Sequence, residues 1–175
     1  MSALSLRYKH GGEVSDSISL LISILVRYPE VGTINFDSQK QILRFNFMLT
    51  QPLASDDIKE FQNKFRKSLE VYNALENRQP KVIKLDHKPH DQLMILEVQR
   101  DVATLSHYEI GLIMALVREE FGTKLVAENN DNVMEEELIL QEELIDHMLE
   151  SVKGKVSERQ LIAFREEGRV MVFNK

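Results

Sequence analysis

Cysteine is absent from the 175-residue chain, which excludes disulfide scaffolds, catalytic thiols and cysteine-ligated zinc or iron–sulfur centres. Glycine and proline are scarce, at 7 and 4 residues, so collagen-like and low-complexity classes are excluded too. Long apolar runs are missing. The longest, Ile18 to Val26, covers nine residues and is broken by Ser19 and Ser23, whereas a bilayer crossing needs roughly 20. The stretch from Met1 to Lys9 lacks the apolar core and small-residue cleavage site of a signal peptide, and a cytoplasmic location is the expectation.

The content that is present, 43% hydrophobic and 29% charged, is that of an ordinary folded domain. At this length a single domain over 1–175 is expected, with a core that needs no covalent staple. The net charge of −6 is unevenly spread. Residues 1–100 carry 14 basic and 12 acidic side chains, whereas residues 101–175 carry 8 and 16. That balance lacks the positive footprint of a protein built to grip phosphate backbone, so nucleic acid is set below a protein partner.

Periodicity divides the chain into elements. Leu4 to Lys9 alternates as a short strand before Gly11–Gly12. Ile18 to Val26 reads as a helix apolar on nearly every side, capped by Ser15 or Ser17 and ended by Pro29. Thr33 to Asp37 and Gln41 to Leu49 read as a hairpin. Ser55 to Glu76 is an amphipathic linking helix with Ile58, Phe61, Phe65, Leu69 and Tyr72 on one side. Lys81 to Asp86 and Leu93 to Arg100 are strands joined by the turn His87 to Asp91. Ser106 and Glu109 form a capping box for a second apolar helix ending at Phe121–Gly122. After a brief apolar step at Leu125–Val126, an acidic helix runs from Val133, with Asn132 as its cap, to Val152. Leu161 to Arg165 and Arg169 to Asn174 close the chain as a hairpin.

The two hairpins echo each other at a constant offset, with Ile34-x-Phe36 matching Ile162-x-Phe164 and Phe45–Asn46 matching Phe173–Asn174. The apolar helices echo as well. The expected fold is therefore α+β: a mainly antiparallel sheet of seven or eight strands built from two related strand–helix–hairpin halves, about 1–50 and 92–175. Its helices pack on one face, the helix 55–76 links the halves, and the acidic helix 133–152 is inserted into the second. Helices apolar all round demand a cover on both sides, from another helix layer or a second subunit.

Three chemistries compete. Asp86, His87, His90 and Asp91 are the one dense set of metal-capable side chains, the basis for a small-molecule or metal-dependent enzyme, although a His-x-x-His pair in a proline turn diverges readily. Glu143 and His147 are spaced for an ion pair on the acidic helix, and Lys9 to Gly12 carries no phosphate-binding fingerprint. Lys59, Lys64, Arg66 and Lys67, followed by Arg78, Lys81, Lys84 and Lys88, form the one basic stretch, a candidate for RNA, but acids are interleaved with it. The acidic helix carries the sharpest signal. It holds seven acids and no Lys or Arg from Val133 to Val152, and an apolar stripe of Met134, Leu138, Ile145, Met148, Leu149 and Val152. No catalytic set and no cofactor is expected. The expectation is a non-enzymatic interaction or regulatory protein, a homodimer or the partner of another protein, with Leu138, Ile145, Met148, Leu149 and Val152 as the interface.

Overall fold

The structure is a computed structural model that describes residues 12–127 and 134–174. Four helices pack against one face of an antiparallel sheet: α1 (Gly12–Arg27), α2 (Ser55–Leu75), α3 (His107–Phe121) and α4 (Glu135–Val152). The strands are β1 (Thr33–Asp37), β2 (Ile42–Leu49), β3 (Ile83–His90), β4 (Leu93–Asp101), β5 (Gln160–Glu166) and β6 (Arg169–Asn174). Their order is β3-β4-β2-β1-β5-β6, which makes β3 and β6 the edges. The described residues thus form six strands, not seven or eight. The opening strand expected at Leu4–Lys9 lies outside them, and Leu125 contributes only a single bridge to Leu49. Among the described residues no helix is long and apolar enough to cross a membrane.

The central strands alternate as a half-buried sheet requires. On β2, Leu43, Phe45, Phe47 and Leu49 are fully buried beneath the helices, while Ile42, Arg44, Asn46 and Met48 face the other way. On β4 the same side carries Met94, Leu96 and Val98. Helix α2 sets Ile58, Phe61, Phe65 and Leu69 into this core, and Phe61 meets Phe121 of α3 edge to face at 4.8 Å. Its N-cap is Ala54 with no side-chain cap, so Ser55 does not serve as one.

Helix α1 lies across β1, β5 and β6, and α4 packs on α1. This is the cover that a helix apolar on all sides requires. Ile145, Leu149 and Val152 are at most 2% exposed and Met148 packs beside them. The acidic helix therefore buries Ile145, Leu149 and Val152 inside the chain, as a lid on α1, which corrects their expected use as an interface; Leu138 and Met148 stay half-buried and Met134 is exposed. The expected Asn132 cap lies outside the described residues.

The hairpin echo does not survive the register. Ile34 of β1 lies opposite Ala163 of β5, and Phe36 lies opposite Leu161. Opposite residues share a face, so Ile162 and Phe164 point away from the face that Ile34 and Phe36 occupy. The matched positions sit on opposite sides of the sheet, and the resemblance is one of strand alternation.

A buried polar network ties β4 to α2 and α3. Arg100 is fully buried on the helix side of β4. Its guanidinium grips Glu109 with two bonds, Nε to Oε2 at 2.5 Å and Nη2 to Oε1 at 2.7 Å. Asn73 of α2 donates to the same carboxylate at 3.0 Å. The Ser106 hydroxyl does cap α3, accepting from the Glu109 N–H at 3.1 Å. Glu109 gives its side chain to Arg100 instead of closing the capping box. Burial works against ionised Asp101, but the Val82 N–H, the Thr104 hydroxyl and Arg100 hold its carboxyl below the ordinary carboxylate value.

Candidate interaction surface

The Asp86 to Asp91 cluster is dispersed by strand geometry. Proline at 89 reads as a turn, yet β3 continues to His90 and the chain reverses at Asp91–Gln92, with Asp91 at φ 57°. Asp86 and Lys88 project from the open side of β3, and His87 and Pro89 from the other. His90, three residues beyond His87, falls on the opposite face from it. Among the described residues no group of three or more His, Asp or Glu is placed to hold a metal ion.

The other polar candidates are engaged within the chain. Glu143 and His147 are exposed, and it is their neighbours, half-buried Glu142 and exposed Asp146, that approach His107, at 3.4 and 3.7 Å. Tyr28 donates to Glu142 at 2.6 Å, and Arg27 pairs with the same carboxylate at 3.1 Å. Burial, reinforced by Glu142, raises the Tyr28 phenol above its ordinary pKa. This knot fastens α4 to α1 and α3. In the basic stretch, Arg66 is bonded to the Ile83 carbonyl and paired with Glu70, and Lys64 approaches Glu120 at 4.0 Å. A small pocket between the ends of α1, α4 and β5 includes Ser38, whose hydroxyl donates to the Lys155 carbonyl and accepts from the Ser157 N–H.

The open face of the sheet remains. Register places its residues in rows running from β3 to β6. One row is Lys84, Gln99, Arg44, Asn35, Ile162 and Phe173; the next is Asp86, Glu97, Asn46, Thr33, Phe164 and Met171. The face is divided. Toward β3 it is charged with balanced signs, and toward β6 it is apolar. Phe164 and Phe173 stack at 5.6 Å with ring planes 20° apart, and Phe173 is 49% exposed. Beside them the Asn35 Oδ1 atom is buried without a hydrogen-bond partner among the described residues.

No described helix covers this quarter, and its residues were missed in favour of the acidic helix. A signal was present: β5 and β6 are apolar at both parities, at Leu161 to Phe164 and Val170 to Phe173. A strand apolar on both sides asks for burial on both sides. No protein-family model matches the chain, and no curated protein or solved structure matches it either.

Proposed function

We propose that the protein is a cytoplasmic, non-catalytic interaction or regulatory protein that works as a homodimer, with the apolar β5–β6 corner as its contact region. The observation that carries this reading is the contiguous set Ile162, Phe164, Met171 and Phe173 on a sheet face that no described helix covers. Exposed apolar patches framed by polar residues mark association sites. Here the frame is Thr33, Asn35 and Asn46.

The two rival chemistries draw less support. A metal centre at Asp86, His87, His90 and Asp91 would need side chains on opposite faces of one strand to converge. RNA binding through the Lys59 to Lys88 stretch would have to displace its internal bonds at Arg66 and Lys64.

The test is light scattering at micromolar concentration. The unmodified protein should run at twice the chain mass, and Phe164→Ser with Phe173→Ser should run as a monomer with unchanged far-ultraviolet dichroism. A monomeric unmodified protein would remove the reading.

A further inference from the structure

The β5–β6 hairpin turns at Glu167–Gly168, with φ of 51° and 77°. Positive φ at both central residues is a type I′ turn, whose flanking residues, Glu166 and Arg169, exchange both ladder bonds. In an antiparallel pair such bonded positions alternate with positions whose groups point away. Arg169, Met171 and Phe173 thus bond to β5, and the N–H and C=O groups of Val170, Val172 and Asn174 face outward along the free edge. Among the described residues no side chain is bonded to these outward groups.

The opposite edge is closed by its own helix. There the alternation sends the carbonyls of Ile83 and Leu85 outward, and α2 takes both, through Arg66 at 2.5 Å and Gln62 at 2.7 Å. Farther along, the outward position falls to Pro89, which has no N–H to offer. Lys84, Lys88 and Asp86 add charge along the same strand. One edge is capped, interrupted and charged, and the other is apolar and bare among the described residues.

We infer that β6 pairs antiparallel with β6 of a second copy of this chain across a two-fold axis perpendicular to the sheet, giving a continuous sheet with all helices on one side. This rests on the homodimer reading and specifies its geometry. A second copy fits because the strand is complementary to itself. With the axis at Val172, the outward groups of Val170, Val172 and Asn174 meet those of Asn174, Val172 and Val170 of the other copy, and all of them are satisfied. In the same register Met171 lies opposite Phe173 of the second copy on the open face. The apolar strip of Ile162, Phe164 and Phe173 then continues across the boundary, and the Val172 side chains extend the core on the helix side. An unrelated extended segment would satisfy the backbone but has no reason to match this side-chain pattern.

The chain has no cysteine, so single substitutions give single reactive thiols. In the full-length protein, Met171→Cys treated with a short bis-maleimide should form a covalent dimer, whereas Lys84→Cys on the opposite edge and Met48→Cys in the middle of the open face should not. Val172→Pro deletes an outward N–H while leaving the β5 ladder its bonds, and Met171→Lys places a charge on the strand as β3 does. Each should raise the dimer dissociation constant on the order of 100-fold, with Met171→Lys serving alone if the proline variant loses its circular-dichroism signal. A dimer that cross-links at residue 48 or 84 but not at 171, or that keeps its affinity in Met171→Lys, overturns the edge pairing and leaves the homodimer standing. An unmodified protein that is monomeric by light scattering overturns both.

Discussion

At β3 the outward carbonyls of Ile83 and Leu85 are bonded by Arg66 and Gln62 of α2, while at β6 the equivalent groups of Val170, Val172 and Asn174 have no such cap among the described residues. The difference extends inward. Under the β3 side lies an ionic network, Arg100 with Glu109, Asp101 and Asn73. Under the β6 side lies α1, sealed by the apolar stripe of α4 and stapled to the sheet by Arg165, which donates to the Leu25 and Tyr28 carbonyls. One side of the sheet is finished by polar contacts within the chain. The other combines the apolar seal of α4 on α1 with a rim that no described element finishes, the combination expected of a surface that is completed by association.

The largest expected effect breaks the polar side. Glu109 is fully buried and its carboxylate is the counter-charge of an equally buried guanidinium. Glu109→Ala strands the buried Nε and Nη2 of Arg100 and leaves Asp101 as its one counter-charge, and should cost about 3 to 5 kcal/mol. In a chain of this size each kcal/mol lowers the melting temperature by roughly 2 to 4 °C. A calorimetric melting temperature within a degree of the unmodified protein would mean that the network contributes little to holding β4 against α3.

A somewhat smaller effect is expected on the other side. Leu149 is fully buried where α4 packs on α1, and Leu149→Ala should cost about 2 to 5 kcal/mol, depending on how far the helices collapse into the space. The informative comparison is with association. If α4 is a lid within the chain, Leu149→Ala lowers the melting temperature without changing the mass seen by light scattering. If it dissociates a dimer while the melting temperature holds, α4 is the interface after all.

These two sides differed in how much of them the sequence disclosed. Elements with strong internal periodicity were legible: the amphipathic α2, the β1–β2 hairpin with Leu43, Phe45 and Phe47 on one face, and the Ser106 cap of α3. So was the need to cover α1, because a helix apolar on every side states that need locally. Which element supplies the cover is a tertiary fact, and the stripe of α4 looked the same whether it met α1 or another subunit. The Arg100–Glu109 pair was invisible for a similar reason, since nothing near Arg100 marks it as buried. Pro89 misled in a different way. It reads as a turn, but on an edge strand with its nitrogen outward it removes no ladder bond, and β3 runs on through it. The open apolar corner was hidden by parity: without the β1–β5 register, Ile162 and Phe164 look like copies of Ile34 and Phe36 rather than their opposites.

The smallest effect on folding carries the sharpest statement about the edges. Lys84 and Lys88 are exposed on β3, so Lys84→Val with Lys88→Val should change folding stability by no more than about 0.5 kcal/mol. Their consequence lies in assembly. A dimer closed through β6 has two remaining sheet edges, both β3, and closure depends on those edges refusing further strands. Removing the lysines lowers one of the three barriers there, leaving the α2 caps and Pro89. The doubly substituted protein should therefore show slow, concentration-dependent growth beyond the dimer in light scattering, and adding Arg66→Ala and Gln62→Ala should accelerate it by freeing the Ile83 and Leu85 carbonyls. The same four changes combined with Met171→Lys should stop at a dimer, because each chain would then have only β3 left to pair. Growth to large assemblies in that last variant would show that a surface other than the two edges drives association, and the contrast between β3 and β6 would lose its meaning for assembly.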